Sequence, residues 1–277
     1  MEKQRLVPTP SAGLIPERDS DKPLILDIHG LGIDFGGLHA VENFTLVLGR
    51  TEIAGLIGPN GAGKTTVFNL ITNVYQPTRG VILFDGVDTK GKAPHEVSRM
   101  GIARTFQNIR LFSEMSVLDN VLVGMHNTVR YPLVSSMLHL PSFHRKEREA
   151  REKAMALLGI FDMQKLADQP AGSLPYGAQR RLEIVRALAT KPKLLLLDEP
   201  AAGMNPAETA ELMENIRAIR DRFGIAILLI EHDMSLVMGI CEGIAVLNYG
   251  KNIAKGTPDE IRNNPTVIEA YLGKQEE

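Results

Sequence analysis

Nine residues in the first quarter of the chain, Gly58 to Thr66, read GPNGAGKTT and have the composition of a phosphate-binding loop. They fit the pattern G-x-x-x-x-G-K-[S/T], in which glycines let backbone amides turn inward around phosphate oxygens. We expect Lys64 to neutralise the β and γ phosphates of a nucleotide, and the Thr65 hydroxyl to ligate Mg²⁺. The residues predicted to form the phosphate site are Gly58, Pro59, Asn60, Gly61, Ala62, Gly63, Lys64, Thr65 and Thr66.

Two acids, Asp198 and Glu199, end the apolar run in KLLLLDEP. Such a run, bounded by prolines, is typical of a strand covered on both faces in a parallel sheet, and ligands bind at the carboxyl ends of these strands. We therefore expect Asp198 to hold Mg²⁺ through water and Glu199 to polarise an attacking water. For an Asp-Glu pair taken alone, exposure to solvent or capping of the next turn would be the better interpretation.

A histidine, His232, ends the next buried run, IAILLIEHD. From that strand end it could reach a γ-phosphate or the water next to Glu199. Taken alone, a histidine near a strand end is more often structural, and Glu231 and Asp233 would then be its solvated neighbours. Together with the phosphate loop and the two acids, His232 is predicted to sense the terminal phosphate.

The elements that must position these residues alternate between strand and helix patterns. An antiparallel β part is predicted from LILDIHGLGIDFGG and HAVENFTLVLG, followed by the buried strand TEIAGLIG and a helix that begins after Gly63. Further along, RRLEIVRALAT and AETAELMENIRAIRDRFG have helical periodicity, the second closed by Gly224, and GIAVLNYGKNIAKG is typical of a hairpin. The sequence predicts a mixed α/β fold with a helical insert near its middle.

Composition narrows the class of protein. The chain has 277 residues, 44% of them hydrophobic, and a net charge of −2, so it has no overall basic field to hold nucleic acid or anionic lipid. The single cysteine, Cys241, excludes an internal disulfide framework and suits a reducing compartment; its simplest role is that of a small buried hydrophobe. Residues 1–23 are polar and proline-rich and are predicted to be a flexible extension without a secretory signal. No stretch approaches the roughly 18 to 20 apolar residues that span a bilayer.

The order of these motifs resembles that of the ATP-binding cassette (ABC) family, from about Leu24 to the carboxyl end. Six motifs occur in the order that is typical of the family: the phosphate loop, the glutamine of RTFQ, a signature in LPYGAQRR, the Asp198-Glu199 pair, AAGMNP and the histidine of EHD. The resemblance implies an α/β P-loop NTPase of ABC type, with a mixed-sheet core, an antiparallel β subdomain and an inserted α-helical subdomain. It implies one ATPase domain over residues 24–273, with the helical subdomain at about 108–178.

The resemblance also implies roles for particular residues. Gln107 would contact Mg²⁺ and water and sense a membrane partner, so that Gln107, Glu199 and His232 form the catalytic set. The metal set would be Thr65, Gln107 and Asp198. Phe35, in IDFGG, falls where an aromatic ring stacks on adenine, although a phenylalanine in a glycine-rich turn is also compatible with ordinary core. Gly177 would grip the nucleotide held by an opposite subunit.

Two departures from the family pattern stand out. The usual signature is Leu-Ser-Gly-Gly-Gln, whereas here Leu174 to Ala178 read LPYGA, which removes the serine hydroxyl that meets the γ-phosphate. We expect this half-site to be weaker or differently shaped. Asn205 stands where the family often has aspartate; it keeps the hydrogen-bonding shape and loses the charge, so that communication between two sites would be altered.

Within the family, the chain most resembles the ATP-binding subunits of branched-chain amino acid importers, in its Tyr-Gly signature, EPAAG-N-P, LLIEHDM and the tail GTPDEIRNNPTVIEAYLG. The resemblance implies ATP and Mg²⁺ as cofactors, integral membrane permease subunits, a second ABC ATPase as heterodimer or homodimer partner, and a solute-binding protein. It places the chain at the cytoplasmic face of the cell membrane, without nucleic acid. Residues 108–143 would dock the permease, unless they simply pack the helical subdomain.

Other functions remain compatible with parts of the sequence. An ABC ATPase for another solute, such as urea or amides, would have the same motifs, because this subunit does not touch the solute. A soluble ABC ATPase acting on DNA or the ribosome usually has two cassettes or a coiled-coil insertion, and neither is present. A small-molecule P-loop kinase would leave LPYGAQRR and EHD without a role.

Overall fold

Ten strands form two sheets in the part of the chain that the computed structural model describes, residues 23–126 and 141–272. The strands are β1 (Leu24–Phe35), β2 (Leu38–Gly49), β3 (Ile53–Ile57), β4 (Arg79–Phe84), β5 (Val87–Asp88), β6 (Ile102–Arg104), β7 (Leu194–Asp198), β8 (Ala226–Ile230), β9 (Gly243–Asn248) and β10 (Lys251–Gly256). One sheet is antiparallel, in the order β2-β1-β4-β5, and the other has the order β10-β9-β3-β8-β7-β6. In the six-stranded sheet only β10 is antiparallel to its neighbour. The mixed sheet and the separate antiparallel sheet agree with the sequence prediction.

Helices follow most of the strands. Within the described ranges they are α1 (Lys64–Ile71), α2 (Pro94–Met100), α3 (Val117–Gly124), α4 (Pro141–Leu158), α5 (Tyr176–Ala189), α6 (Pro206–Phe223), α7 (Met234–Ile240), α8 (Pro258–Arg262) and α9 (Pro265–Leu272). None of the helices in this part of the chain is long and apolar enough to cross a membrane.

The four leucines of β7 show why such an apolar run is needed. Leu194 and Leu196 belong to a core shared with α1 and the antiparallel sheet. Leu195 and Leu197 point to the opposite face, where they belong to a second core shared with α5, α6 and α7. All four are fully buried, and each contributes about 1.5–3 kcal/mol relative to exposure. Because both faces are covered, the polar ligands can only be placed where the strand ends.

The described part of the predicted helical insert contains α3, α4 and three short 3-10 turns, and both helices pack against α5. Buried side chains from each helix, among them Val121, Ala154 and Leu182, belong to one core. The segment 127–140, which lies inside the predicted docking surface, is outside the described residues, as are 1–22 and 273–277. The predicted extension at 1–23 therefore falls almost wholly outside them.

Cys241 follows α7 and faces the middle of the sheet. Its side chain is buried, and a Cβ atom added at Gly55 of β3 would lie 3.2 Å from its sulfur. Burial raises the pKa of this thiol. The residue packs as a small apolar side chain, in agreement with the interpretation from the sequence.

Candidate functional site

The predicted phosphate loop joins the end of β3 to the start of α1, the context that its chemistry requires. Its glycines are needed for two reasons. Gly58, Gly61 and Gly63 have φ angles of 150°, 76° and 104°, which other residues rarely adopt. A Cβ atom at Gly58 would also lie 2.0 Å from the carbonyl oxygen of Leu247, and one at Gly63 would lie 2.8 Å from that of Ala40. Side chains at these two positions would displace the loop from the sheet.

Lys64 lies over the loop that precedes it. Its Nζ atom donates to the carbonyl oxygens of Gly58 at 2.6 Å and Pro59 at 3.0 Å. Burial lowers the pKa of Lys64, while the charges of Glu199 and Asp198 raise it. The ammonium group is therefore held between the loop and the two acids, where phosphate oxygens could replace the carbonyls as its acceptors.

Asp198, at the end of β7, forms an ion pair that the sequence analysis missed. Its Oδ2 lies 2.8 Å from Nη2 of Arg104, the last residue of the neighbouring strand β6, and both side chains are buried. The other guanidinium nitrogen donates to Oδ1 of Asn69 on α1 at 2.7 Å. The feature of the sequence that could have indicated this ion pair is a basic residue three positions before Gln107. The guanidinium group of Arg104 thus places a positive charge beside the carboxylate of Asp198.

The three side chains that were predicted to hold magnesium carry oxygen atoms of a suitable kind. Asp198 offers a carboxylate, Gln107 an amide oxygen and Thr65 an exposed hydroxyl, and oxygen ligands are those that Mg²⁺ prefers. Among the described residues, no group of three or more His, Cys, Asp and Glu side chains could hold a metal ion. A magnesium ion here would therefore need water and phosphate oxygens for its remaining ligands, as is usual in nucleotide sites.

Glu199 lies at the centre of a hydrogen-bonded chain of three side chains. Gln107 Nε2 donates to its Oε2 at 3.0 Å, and His232 Nε2 lies 2.9 Å from its Oε1. Glu199 has a φ of 50°, and its amide donates to the carbonyl oxygen of Ile230 at 2.9 Å, which holds this strained turn. The structure thus brings together the three residues that were predicted to be catalytic.

Glu231 lies next to the cluster of Gln107, Glu199 and His232. It is not solvated, as it would be if His232 had only a structural role. It is 3% exposed and accepts hydrogen bonds from the amides of Ala201 at 2.7 Å and His232 at 2.9 Å. Burial raises the pKa of Glu231, although these amides lower it. Through these two hydrogen bonds, Glu231 links the loop after Glu199 to the backbone of His232. Its position between a buried strand and His232 was the only signal in the sequence.

Phe35 ends β1 with its ring 43% exposed, so it is not an ordinary core residue. Tyr75 packs edge-on against it, with ring centroids 5.2 Å apart and an interplanar angle of 74°. The predicted adenine contact is therefore an exposed ring held by a second aromatic ring. The sequence analysis did not single out Tyr75.

The predicted signature residues, Leu174 to Ala178, lie around the start of α5. Gly177 is in the first turn of α5, and a Cβ atom there would lie 3.3 Å from Oε1 of Glu208 on α6. Pro175 caps α5 without a side-chain hydrogen bond, and Tyr176 is exposed. No atom of the phosphate loop of the same chain lies within 4 Å of a Cβ atom placed at Gly177.

Asn205 has a clear local role. Its Oδ1 accepts from the amides of Ala207 at 2.9 Å and Glu208 at 3.0 Å, while Glu208 Oε2 accepts from the Asn205 amide at 2.9 Å. This is a capping box, which orders the start of α6. An uncharged amide fulfils the capping role as well as the aspartate that is frequent in the family.

Sequence comparisons show which known proteins the chain is similar to. A family model described as "ABC transporter" matches residues 41–202, more than half of the chain, and one described as "Branched-chain amino acid ATP-binding cassette transporter" matches residues 251–277. The chain is 51% identical over 250 residues to the high-affinity branched-chain amino acid transport ATP-binding protein LivG of Escherichia coli K12. It is 48% identical over 250 residues to the corresponding BraF of Pseudomonas aeruginosa. Each alignment covers 90% of this chain and 98% of the relative.

Solved structures confirm the predicted fold class. A nucleotide-free ATP-binding cassette from an ABC transporter superposes with a TM-score of 0.79 at 33% identity, covering 91% of this chain and all of that one. A cassette in its ADP conformation gives the same TM-score at 31% identity and the same coverage. The family inferred from the ordered motifs is confirmed as well. The chain therefore belongs to the ABC transporter family of ATP-binding proteins and, within it, groups with those of branched-chain amino acid transport.

Proposed function

We propose that this chain binds and hydrolyses ATP to power the uptake of branched-chain amino acids. The observation that carries the hydrolytic part is the position of Glu199, bonded to both Gln107 and His232 at the end of the strand that carries Asp198. The solute is inferred from the names of the relatives, about half of whose residues are identical to those of this chain.

The chain's own residues account for nucleotide binding. The backbone N–H groups between Gly58 and Thr66, all but that of Pro59, which has none, surround the phosphates. Lys64 moves from its carbonyl acceptors to the β and γ phosphates, and adenine stacks on the exposed ring of Phe35. Mg²⁺, when bound through Thr65, Asp198 and Gln107, supplies charge neutralisation of the phosphate oxygens.

Glu199 is the general base in this proposal. One of its oxygens can accept a proton from an attacking water while the carboxylate is held by its two side-chain partners. Gln107 orients the same water, and His232 contacts the γ-phosphate. A base positioned in this way contributes on the order of 10²- to 10⁴-fold in rate.

The complete site requires a second cassette. Because Gly177 does not contact the phosphate loop of its own chain, the signature segment of a second cassette closes over this nucleotide, and Gly177 closes over the nucleotide of that second cassette, in a heterodimer or a homodimer. Without the serine hydroxyl of the usual signature, we expect that contact to rely on the amides at the start of α5, worth about 0.3–1 kcal/mol from the helix dipole.

The remaining partners follow from the same family grouping. Two integral permease subunits hold the ATPases at the cytoplasmic face of the membrane, and a solute-binding protein delivers the amino acid. Residues 24–273 act as one ATPase domain, with a helical subdomain at about 108–178, which is supported by the packing of α3 and α4 on α5. Nucleic acid has no role.

Glu199→Gln tests the proposal. In the chain reconstituted with its co-purifying membrane and ATPase subunits, kcat for ATP hydrolysis should fall by roughly 10²- to 10⁴-fold, whereas the Kd for ATP should change by less than about threefold. Glu211→Gln, an exposed acid of α6 that pairs with Arg181, is the matched control and should retain both values. Equal losses of ATP binding and turnover would refute the role of Glu199. A rate of hydrolysis that is not stimulated by branched-chain amino acids but is stimulated by another solute would refute the assigned solute.

A further inference from the structure

One turn into α5, a buried ion pair contacts a loop that has no regular secondary structure. Nη1 of Arg180 lies 3.3 Å from Oε2 of Glu183, and both side chains are 2% exposed. Charged residues at this spacing on a helix usually lie at the surface, and complete burial is costly without further hydrogen bonds. The remaining hydrogen-bonding atoms of the pair therefore need partners. The loop after β6 provides them for both terminal guanidinium nitrogens of Arg180 and for Oε1 of Glu183, whereas Arg180 Nε is buried without one.

The partners are backbone atoms on both sides of Gln107. Arg180 Nη1 donates to the carbonyl oxygen of Phe106 at 2.6 Å, and its Nη2 donates to that of Gln107. Glu183 Oε1 accepts from the amides of Phe106 and Arg110, each at 3.4 Å. The arginine and the glutamate thus bind carbonyl and amide groups of the same short segment, and fix the backbone from which the Gln107 side chain extends.

We propose that Arg180 and Glu183 are positioning residues that set Gln107 against Glu199 and tie its place to α5. This inference rests on the proposed function, in which Gln107 and Glu199 act on the attacking water. Gly177 and Arg180 lie on the same helix, three residues or about 4.5 Å apart along its axis. Closure of a second cassette on Gly177 would therefore shift the segment that carries Gln107. The pair thereby makes the hydrogen bond between Gln107 and Glu199 depend on the nucleotide of the partner subunit.

A merely structural role is the alternative, since buried ion pairs can often be replaced by apolar side chains without loss of stability. The two roles differ in one respect. A structural pair affects activity whatever residue stands at 107, whereas a positioning pair affects kcat only while Gln107 is present.

A double-mutant cycle separates them. Arg180→Met, Gln107→Ala and the combined variant are compared in the full chain reconstituted with its membrane and ATPase subunits. Arg180→Met should lower kcat by about tenfold with a KM for ATP within about threefold, and in the Gln107→Ala background the same change should alter kcat by less than about twofold. Equal losses of kcat in both backgrounds would overturn the proposal. A normal kcat for Gln107→Ala alone would refute the role of Gln107 in the proposed function, and with it the positioning role.

Two further variants control for folding. Arg217 on α6 makes the same two kinds of contact at the surface, an ion pair to Glu214 at 2.6 Å and a donor bond to the carbonyl oxygen of Gly239 at 2.5 Å. Arg217→Met removes these contacts away from Gln107 and should leave kcat unchanged. If Arg180→Met yields no folded protein, Arg180→Lys replaces it in the cycle. Lysine keeps the charge but lacks the planar fork that reaches two carbonyls, so a kcat loss that vanishes in the Gln107→Ala background is again the expected result. A loss that persists there would refute the positioning role.

Discussion

Arg104→Met should strongly destabilise the nucleotide-free protein. Arg104 is the cation beside Asp198 at 2.8 Å, and the two side chains are 6% and 3% exposed. Its guanidinium also lies 5.4 Å from the ring centroid of Phe68 and 5.1 Å from that of Phe106. Removing it leaves the carboxylate of Asp198 buried without this partner.

The size of the effect follows from that burial. Removing one member of a buried ion pair costs about 3–5 kcal/mol. In a domain of this size each kcal/mol shifts the melting temperature by about 2–4 °C, so we expect a decrease of roughly 6–20 °C. Arg104→Met combined with Asp198→Asn should recover most of the loss, because no uncompensated charge remains.

Thermal unfolding, followed by circular dichroism with and without MgATP, measures these differences. A metal ion at Asp198 would replace the missing charge, so MgATP should raise the melting temperature more in Arg104→Met than in the unmodified protein. Arg50→Met is the matched control. Arg50 pairs with Asp85 at the surface with 40% of its side chain exposed, and its loss should cost less than about 1 kcal/mol.

Two outcomes would refute this reasoning. If Arg104→Met and Arg50→Met are equally stable, the buried pair has no special energetic role. If the double variant is as unstable as Arg104→Met, the loss comes from packing of the arginine and not from the charge of Asp198.

Burial lowers the pKa of Lys255 to about 8, so the folded protein releases this proton well before the unfolded chain does, and stability should increase from about pH 8 to pH 10. In thermal melts recorded at several pH values, Lys255→Met should therefore have a higher melting temperature than the unmodified protein near pH 7, and this difference should shrink by about pH 10. Lys251→Met, at an exposed position of the same strand, is the control and should show no such trend. Gly58→Ala should abolish ATP binding in equilibrium titrations, because its Cβ would lie 2.0 Å from the Leu247 carbonyl oxygen. In the same titrations Gly61→Ala should retain more ATP binding than Gly58→Ala, because its Cβ would meet no atom within 4 Å and only its φ of 76° is unfavourable. Equal loss of binding in the two variants would contradict the steric argument.

Local patterns were sufficient for the phosphate loop and for the ends of the buried strands. Apolar runs that end in charge predicted Asp198, Glu199 and His232, and the parallel pairing of β7 with β8 explains why they meet: their carboxyl ends lie at one edge of the sheet. These features depend on short stretches of sequence and on a general property of parallel sheets.

The supporting contacts depend instead on sheet order and tertiary packing. Arg104 contacts Asp198, 94 residues further along the chain, because β6 pairs with β7. Neither segment contains a pattern that predicts this order of strands in the sheet. Arg180 and Glu183 have the spacing of an ordinary surface pair, and only contact with a loop more than 70 residues away buries them. The burial of Glu231 likewise depends on the loop that follows Glu199.

The buried thiol of Cys241 makes the chain a convenient background for spectroscopic labelling. It is the only cysteine in the sequence, it is 6% exposed, and burial raises its pKa, so thiol reagents should not modify the native protein. Spin labels or fluorophores can therefore be attached through cysteines introduced at chosen surface sites without first removing a native one. Distances between α5 and the loop at Gln107 can then be followed during turnover in otherwise unmodified protein.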